Sequence, residues 1–275
     1  MRTTRFVGAG TMPDWLTALA AQTGARRACA VATVVSIEGS VSARVGARAV
    51  FDSQGRLLAG WVGGGCAQGY VAEAAVETLK DGQGRLLTLD LRSEVLGVGM
   101  PCGGTMTVFV DPIRPSPMLW IIGYGPLAES LCTQAVQVGF AVSVLDLRAE
   151  PARFPAAFAV VNDDPVHASL NEAGAQDHVI IATQHKGDHL ILREVLARPF
   201  AYVGLIASRH RAGLVRDDLV RSGLPPAQWA HLRAPAGLDL GARTPAEIAT
   251  AVVSEMLAVR NGHSGQPRSI IKSGP

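Results

Sequence analysis

Charge is scarce in this sequence. Asp, Glu, Lys and Arg make up 17% of its 275 residues, and the formal net charge is only +2. Such a balance gives no electrostatic reason to expect a polyanionic partner such as DNA. Long apolar runs are missing too. None approaches the roughly 20 residues a membrane helix needs. The opening "MRTTRFVGAGTMPDW" lacks the apolar stretch of a secretory signal. These absences predict a cytoplasmic protein with no integral membrane segment. Cysteine is sparse, at four positions: Cys29, Cys66, Cys102 and Cys132. None forms a CxxC pair, so reduced thiols are expected rather than a disulfide framework. Without CxxC or HExxH, two thiols do not close a structural zinc site. Neither GxSxG nor a P-loop is present.

Hydrophobic residues reach 48%. That is enough to bury sizeable cores and excludes a disordered chain. The length suits two domains. "DPIRPSPM", residues 111–118, holds three prolines in eight residues and reads as a stiff linker. The expected division is a first domain over 1–113, a linker over 114–118, a second domain over 119–260 and a mobile tail over 261–275. The first half is strand-rich. "ACAVATVVSI" is dense in β-branched residues, and "RAVF" and "RLLAGWV" flank the hairpin signature "DSQG". "VAEAAVETLK" carries one apolar face at helical spacing. "RLLTLDL" and "TMTVFV" complete a mixed α+β domain. The second half alternates strand and helix, which predicts a doubly wound parallel sheet. Its last helix, "RTPAEIATAVVSEMLAVR", opens with a capping box built on Thr244 and Glu247.

"GYGPLA" joins the strand "MLWII" to a helix and fits GxGxxA. Gly123 would make the tight turn, Gly125 would let a pyrophosphate approach, and Ala128 would allow close helix packing. Asp146 ends the next strand, where a ribose-binding acid belongs. The same pattern also serves Rossmann-like sheets that hold no nucleotide. Pro126 removes an amide donor near the phosphate position. Arg148 reads either as a phosphate contact or as a surface arginine. Two further strand ends lie at the carboxyl edge of the predicted sheet. "ATQHKGDH" offers His185, Asp188 and His189 as acid, base or ligand, and "IASRHRAG" offers Ser208 and Arg209 as anion contacts. Ser208 equally suits a helix cap.

In the first half, "WVGGGCAQGY" runs three glycines, Gly63, Gly64 and Gly65, into Cys66 at a helix start. Successive N–H groups there would form an anion nest, and the helix field would favour the Cys66 thiolate. "PCGGT" repeats the theme with Cys102, Gly103 and Gly104, while "GSVSARVGARAVF" adds Arg44 and Arg48. Glycine loops with two arginines suit a phosphorylated small molecule, and two thiols suit a soft metal or sulfur. Tight packing explains such glycines equally well, and small buried hydrophobes explain many cysteines. Cys29 and Cys132 sit in strong strand and helix patterns and are expected in the core.

These motifs together resemble the XdhC/CoxI family of molybdenum-enzyme maturation proteins. The resemblance runs from about Ala30 to Arg260, through "GSVSARVGARAVF", "GWVGGGCAQ", "PCGGTMTVFVDP", "IIGYGPLAESL", "YVGLIASR" and "APAGLDLGARTPAEIATAVVSEMLAVR". It implies an N-terminal XdhC/CoxI domain, a C-terminal Rossmann domain and a chaperone that is not a turnover enzyme. Such a chaperone would bind molybdopterin or molybdenum cofactor, including a cytosine dinucleotide form, with a further nucleotide as a candidate for the Rossmann half. It would promote sulfuration with a sulfurase partner and deliver the cofactor to a xanthine or CO dehydrogenase client. Cys66 and Cys102 become candidate cofactor and metal contacts, and a homodimer is compatible with that role. The sequence departs from the family at "GYGP", "TQHKGD" and "ASR" and at Gln68, departures that suit a CoxF-type member. The competing reading is an NAD(P)- or flavin-dependent oxidoreductase.

Overall fold

The computed structural model describes residues 13–91, 103–163, 168–183 and 188–267. The chain divides into two compact units, Met1–Pro115 and Ser116–Pro275.

In the first unit, helix α1 (Asp14–Gly24) precedes strands β1 (Cys29–Gly39), β2 (Arg48–Asp52) and β3 (Leu57–Gly60). Helix α2 (Gly65–Asp81) and strands β4 (Arg85–Asp90) and β5 (Gly104–Ile113) follow. The sheet runs β3-β2-β1-β5-β4, and every pairing is antiparallel. The β2–β3 turn is closed by the Asp52 carboxylate, which accepts the backbone N–H of Gln54 and of Arg56, both at 2.9 Å. Ala67, Val71 and Ala75, spaced four apart on α2, form one apolar face. They share a core with Val34, Phe51, Met106 and Val108 of the sheet. Gly82 ends α2 in the left-handed region and donates its N–H to the Thr78 carbonyl.

The second unit alternates strand and α-helix except from β7 to β9, where the described connections hold only 3-10 turns. Its elements are β6 (Met118–Ile122), α3 (Pro126–Gln137), β7 (Ala141–Leu145), β8 (Ala159–Val161), β9 (His178–Ile181), α4 (Asp188–Leu196), β10 (Tyr202–Leu205), α5 (Arg209–Arg221), β11 (Leu232–Arg233) and α6 (Pro245–Arg260). The sheet order is β11-β10-β9-β6-β7-β8, all parallel. β6, β9 and β10 are buried along their whole length, as strands covered on both faces must be. One core joins them to α3 and α6 through Leu131, Ala135, Val252 and Met256. The other, on the opposite face, uses Leu192 of α4 and Leu219 of α5. This is the doubly wound Rossmann-like arrangement. The strand order reverses between β6 and β9, and ligands of such sheets bind at that switch.

Local details refine these expectations. The Asp111–Pro112–Ile113 stretch of the proline-rich segment belongs to β5, so the connection narrows to residues 114–117. α2 begins at Gly65, beside Cys66 where the helix start is expected, and runs ahead of the apolar face that opens at Val71. Among the described residues between β8 and β9, the expected helical stretch is a 3-10 turn, Ala168–Glu172. α1 carries no buried residue and gave no apolar signature to read. Residues 268–275 of the expected tail lie outside the described residues. Among the described residues, no helix is long and apolar enough to cross a membrane.

Candidate functional site

In the first unit, three glycine-bearing segments meet at one end of β1 and β5. Gly39 pairs with Gly104 across these strands. A β-carbon on Gly104 would stand 2.6 Å from the Glu38 carbonyl oxygen, and one on Gly39 would stand 2.8 Å from that of Gly103. Both are closer than a side chain tolerates, so the backbone approach itself demands glycine. Gly39 and Gly104 therefore serve strand pairing first, whereas a β-carbon on Gly103 would meet nothing within 4 Å. Gly63 belongs to the same neighbourhood: a β-carbon there would lie 3.5 Å from Met106 Cε, two residues along β5 from Gly104. The segments around Gly63 and Gly104, far apart in sequence, are thus neighbours.

Gly64 and Gly65 differ from Gly63, because a β-carbon on either would meet nothing within 4 Å. Gly64 is the N-cap of α2 and has no side chain to cap the first-turn amides. Those N–H groups lie at the positive end of the helix. Cys66 is the second residue of α2, within its first turn. Its side chain, like Cys102 and His185 as whole residues, lies outside the described residues. Arg44 sits exposed in the turn between β1 and β2, where its carbonyl accepts the Ala47 N–H at 3.0 Å. Arg48 is held at β2. Its carbonyl accepts the Trp61 N–H at 2.8 Å, and its guanidinium carbon lies 4.7 Å from the Trp15 ring centroid. That cation–π contact occupies one face of the group.

In the second unit, Gly123 follows β6 at φ +135°. A β-carbon on it would fall 2.4 Å from the Ala182 carbonyl oxygen beyond β9. The first glycine of GxGxxA is therefore fixed by the approach of β6 to β9 at the switch point. Gly125 caps α3 at φ +100°, and Pro126 fills the first helical position. Asp146 follows β7 and donates its N–H to the Val161 carbonyl at 3.2 Å. Its carboxylate is already engaged: Oδ1 accepts the Arg148 backbone N–H and Nε–H, and Oδ2 accepts Nη2–H, each at 2.9 Å. The Arg148 guanidinium lies 4.1 Å from the Tyr124 ring centroid. The hydrogen bond to Asp146 raises the Arg148 pKa further. Tyr124 of the glycine turn, Arg148 and Asp146 thus form one stack at the carboxyl ends of β6 and β7, a link that residue spacing gave no means of finding.

Ser208 acts as the cap of α5, accepting the Arg211 N–H at 3.2 Å. Arg209 points outward, its side chain 86% exposed, and pairs with Asp239 at 3.2 Å. Asp188 and His189 open α4. Cys29 and Cys132 are buried in the cores, as expected. Burial pushes the Cys132 thiol up to about 11, so it is no nucleophile. Among the described residues, no group of three or more His, Cys, Asp or Glu side chains could hold a metal ion.

Comparison with known proteins bears on both units. Residues 119–256 match the XdhC Rossmann domain, and residues 23–90 match the XdhC and CoxI family. The chain is 31% identical to the uncharacterized protein YqeB of Escherichia coli over 86% of this chain and 44% of that protein. It is 31% identical to a probable xanthine dehydrogenase subunit of Bacillus subtilis over 57% of this chain and 47% of that protein. It thus spans about half the length of these two relatives. It is also 26% identical to the molybdenum cofactor insertion chaperone PaoD of Escherichia coli, over 83% of this chain and 82% of that protein. Its sequence motifs, its parallel Rossmann sheet and these matches converge on one assignment: the chain belongs to the XdhC and CoxI family.

Proposed function

We propose that this chain is a molybdenum-cofactor chaperone, which receives the cofactor and assists its insertion into a molybdenum hydroxylase. The observation that carries the reading is the match to PaoD along most of both chains. The first unit fits the ligand chemically. The α2 N-terminus at Gly64 and Gly65, with no side-chain cap, suits the phosphate of a pterin cofactor. The adjoining Gly103–Gly104 segment follows Cys102 directly in the chain, and thiols suit a soft metal. In this reading Gly63, Gly64 and Gly65 hold the phosphate, and Arg44 and Arg48 supply positive charge. Cys66 and Cys102 handle the metal or its sulfur. The client is of xanthine or CO dehydrogenase type, a sulfurase is the partner, and the cytoplasm is the compartment.

Purified protein is expected to bind molybdopterin, and Cys66→Ala and Cys102→Ala are expected to weaken that binding and lower client activity. Undiminished binding and normal client maturation in both variants would remove the cysteines from the proposal. Absence of molybdopterin binding by the unaltered chain would remove the proposal itself.

The Rossmann order and the position of Asp146 support a further element, a nucleotide bound by the second unit. The dinucleotide form of the cofactor would supply one, as would a nicotinamide or flavin nucleotide. The oxidoreductase reading requires hydride transfer on top of binding. Binding without turnover leaves the Rossmann unit as a recognition module.

A further inference from the structure

In nucleotide-binding sheets the acid that ends the second strand reads a ribose diol by accepting its hydroxyl protons. Here that acid is Asp146, and both of its oxygens already accept N–H groups of Arg148 at 2.9 Å. A carboxylate has about four lone-pair sites, and a bidentate guanidinium is a strong occupant of them. Exposure is divided unequally between the partners. The Asp146 side chain is 9% exposed and that of Arg148 is 45% exposed. A ligand arriving over β7 therefore meets the cation of the pair first. Tyr124, in the glycine turn where the ligand would lie, holds the guanidinium from its other side at 4.1 Å. The cation is fixed by a carboxylate behind it and a ring beside it, and it keeps N–H groups outside the pair. A positioned arginine at this place in the fold suits a phosphate on the ribose.

We propose that the Rossmann unit selects a nucleotide whose ribose carries an additional phosphate, with Arg148 as the phosphate contact and Asp146 and Tyr124 as its positioning residues. The inference rests on the reading that this unit binds a nucleotide. A plain ribose diol would have to compete with Arg148 for the Asp146 carboxylate. A ribose 2′-phosphate would instead add charge-assisted hydrogen bonds to a group already in place.

The test is calorimetric titration of the full chain with NADP⁺ and NAD⁺, repeated with adenosine 2′,5′-bisphosphate against ADP to separate the position of the phosphate from total charge. The phosphorylated ribose is expected to bind about tenfold tighter in both pairs, the scale of one charge-assisted contact. Arg148→Ala is expected to abolish that preference while leaving NAD⁺ binding equal or improved, since Asp146 is then released. Circular dichroism of the variant checks that the fold persists. Equal or tighter binding of the plain ribose, or an unchanged preference in Arg148→Ala, overturns the proposal and leaves nucleotide binding standing. Failure of all four nucleotides to bind overturns both.

Discussion

The Tyr202 hydroxyl on β10 donates a 2.6 Å hydrogen bond to the Glu255 carboxylate on α6. The same carboxylate oxygen accepts the Gly237 N–H at 2.8 Å. One acid thus ties a sheet strand, the last helix and the connection between them. Burial, with Glu255 beside it, pushes the Tyr202 pKa up, so the phenol stays a donor.

Tyr202→Phe keeps the ring in the core and removes the donor. The expected loss is about 1–2 kcal/mol, because Glu255 keeps the Gly237 contact and is not left unpartnered. Urea unfolding of the two proteins measures it. A change within a few tenths of a kcal/mol would show that the tie contributes nothing.

Acid sensitivity is expected from His178. The ring lies between Phe140, edge-on with centroids 4.9 Å apart, and Tyr202, stacked at 5.7 Å. Burial lowers its pKa from 6.5 to about 4, against the opposing contact of Nδ1 with the Gln176 carbonyl. Between these two values the unfolded chain binds the proton and the folded chain does not. Stability contributed by this group is therefore lost as pH falls from about 6.5 toward about 4. At pH 4.5 the loss should be about 2 kcal/mol. His178→Phe is expected to flatten the stability–pH curve by that amount in this window. A curve with the unaltered slope would remove His178 as its source.

Gly123→Ala tests the switch point. Its β-carbon would meet the Ala182 carbonyl oxygen at 2.4 Å, in a backbone conformation that L residues rarely adopt. The cost should be about 2–4 kcal/mol, read as a fall in the unfolding midpoint before any ligand is added. A variant of unchanged stability would show that β6 and β9 can separate there.

Much of the fold was legible because its signals are local. Most of the parallel strands are short, largely apolar runs, and the helix starting at Pro245 announces itself with Thr244 and Glu247, whose reciprocal capping bonds are formed. What was not legible depends on partners. "DPI" reads as linker because proline rarely enters a sheet interior. Yet Pro112 lies past Val110, where β4 stops and β5 has only β1 as a neighbour, so a missing N–H is tolerated. The candidate sites divide the same way. Glycine spacing marked the loops, and a cap explained Ser208. The pairing of Asp146 with Arg148, and of Arg148 with Tyr124, depends on side-chain direction and distance. No spacing rule carries either.

The position of β5 also constrains how the first unit folds. This strand is the last of the unit to leave the ribosome, yet it lies between β1 and β4, two strands that do not pair with each other. Its register joins Cys29 to Ile113 and Gly39 to Gly104, contacts separated by most of the unit's length. Such non-local pairing closes late and slowly. A fragment ending at Asp90 would leave β1 and β4 with open edges, and open edges recruit other chains. The glycine loops at the end of β1 and β5 would have no geometry until that strand arrives. Readiness to receive a ligand would then be the final step of folding in this unit, with no competent form before it.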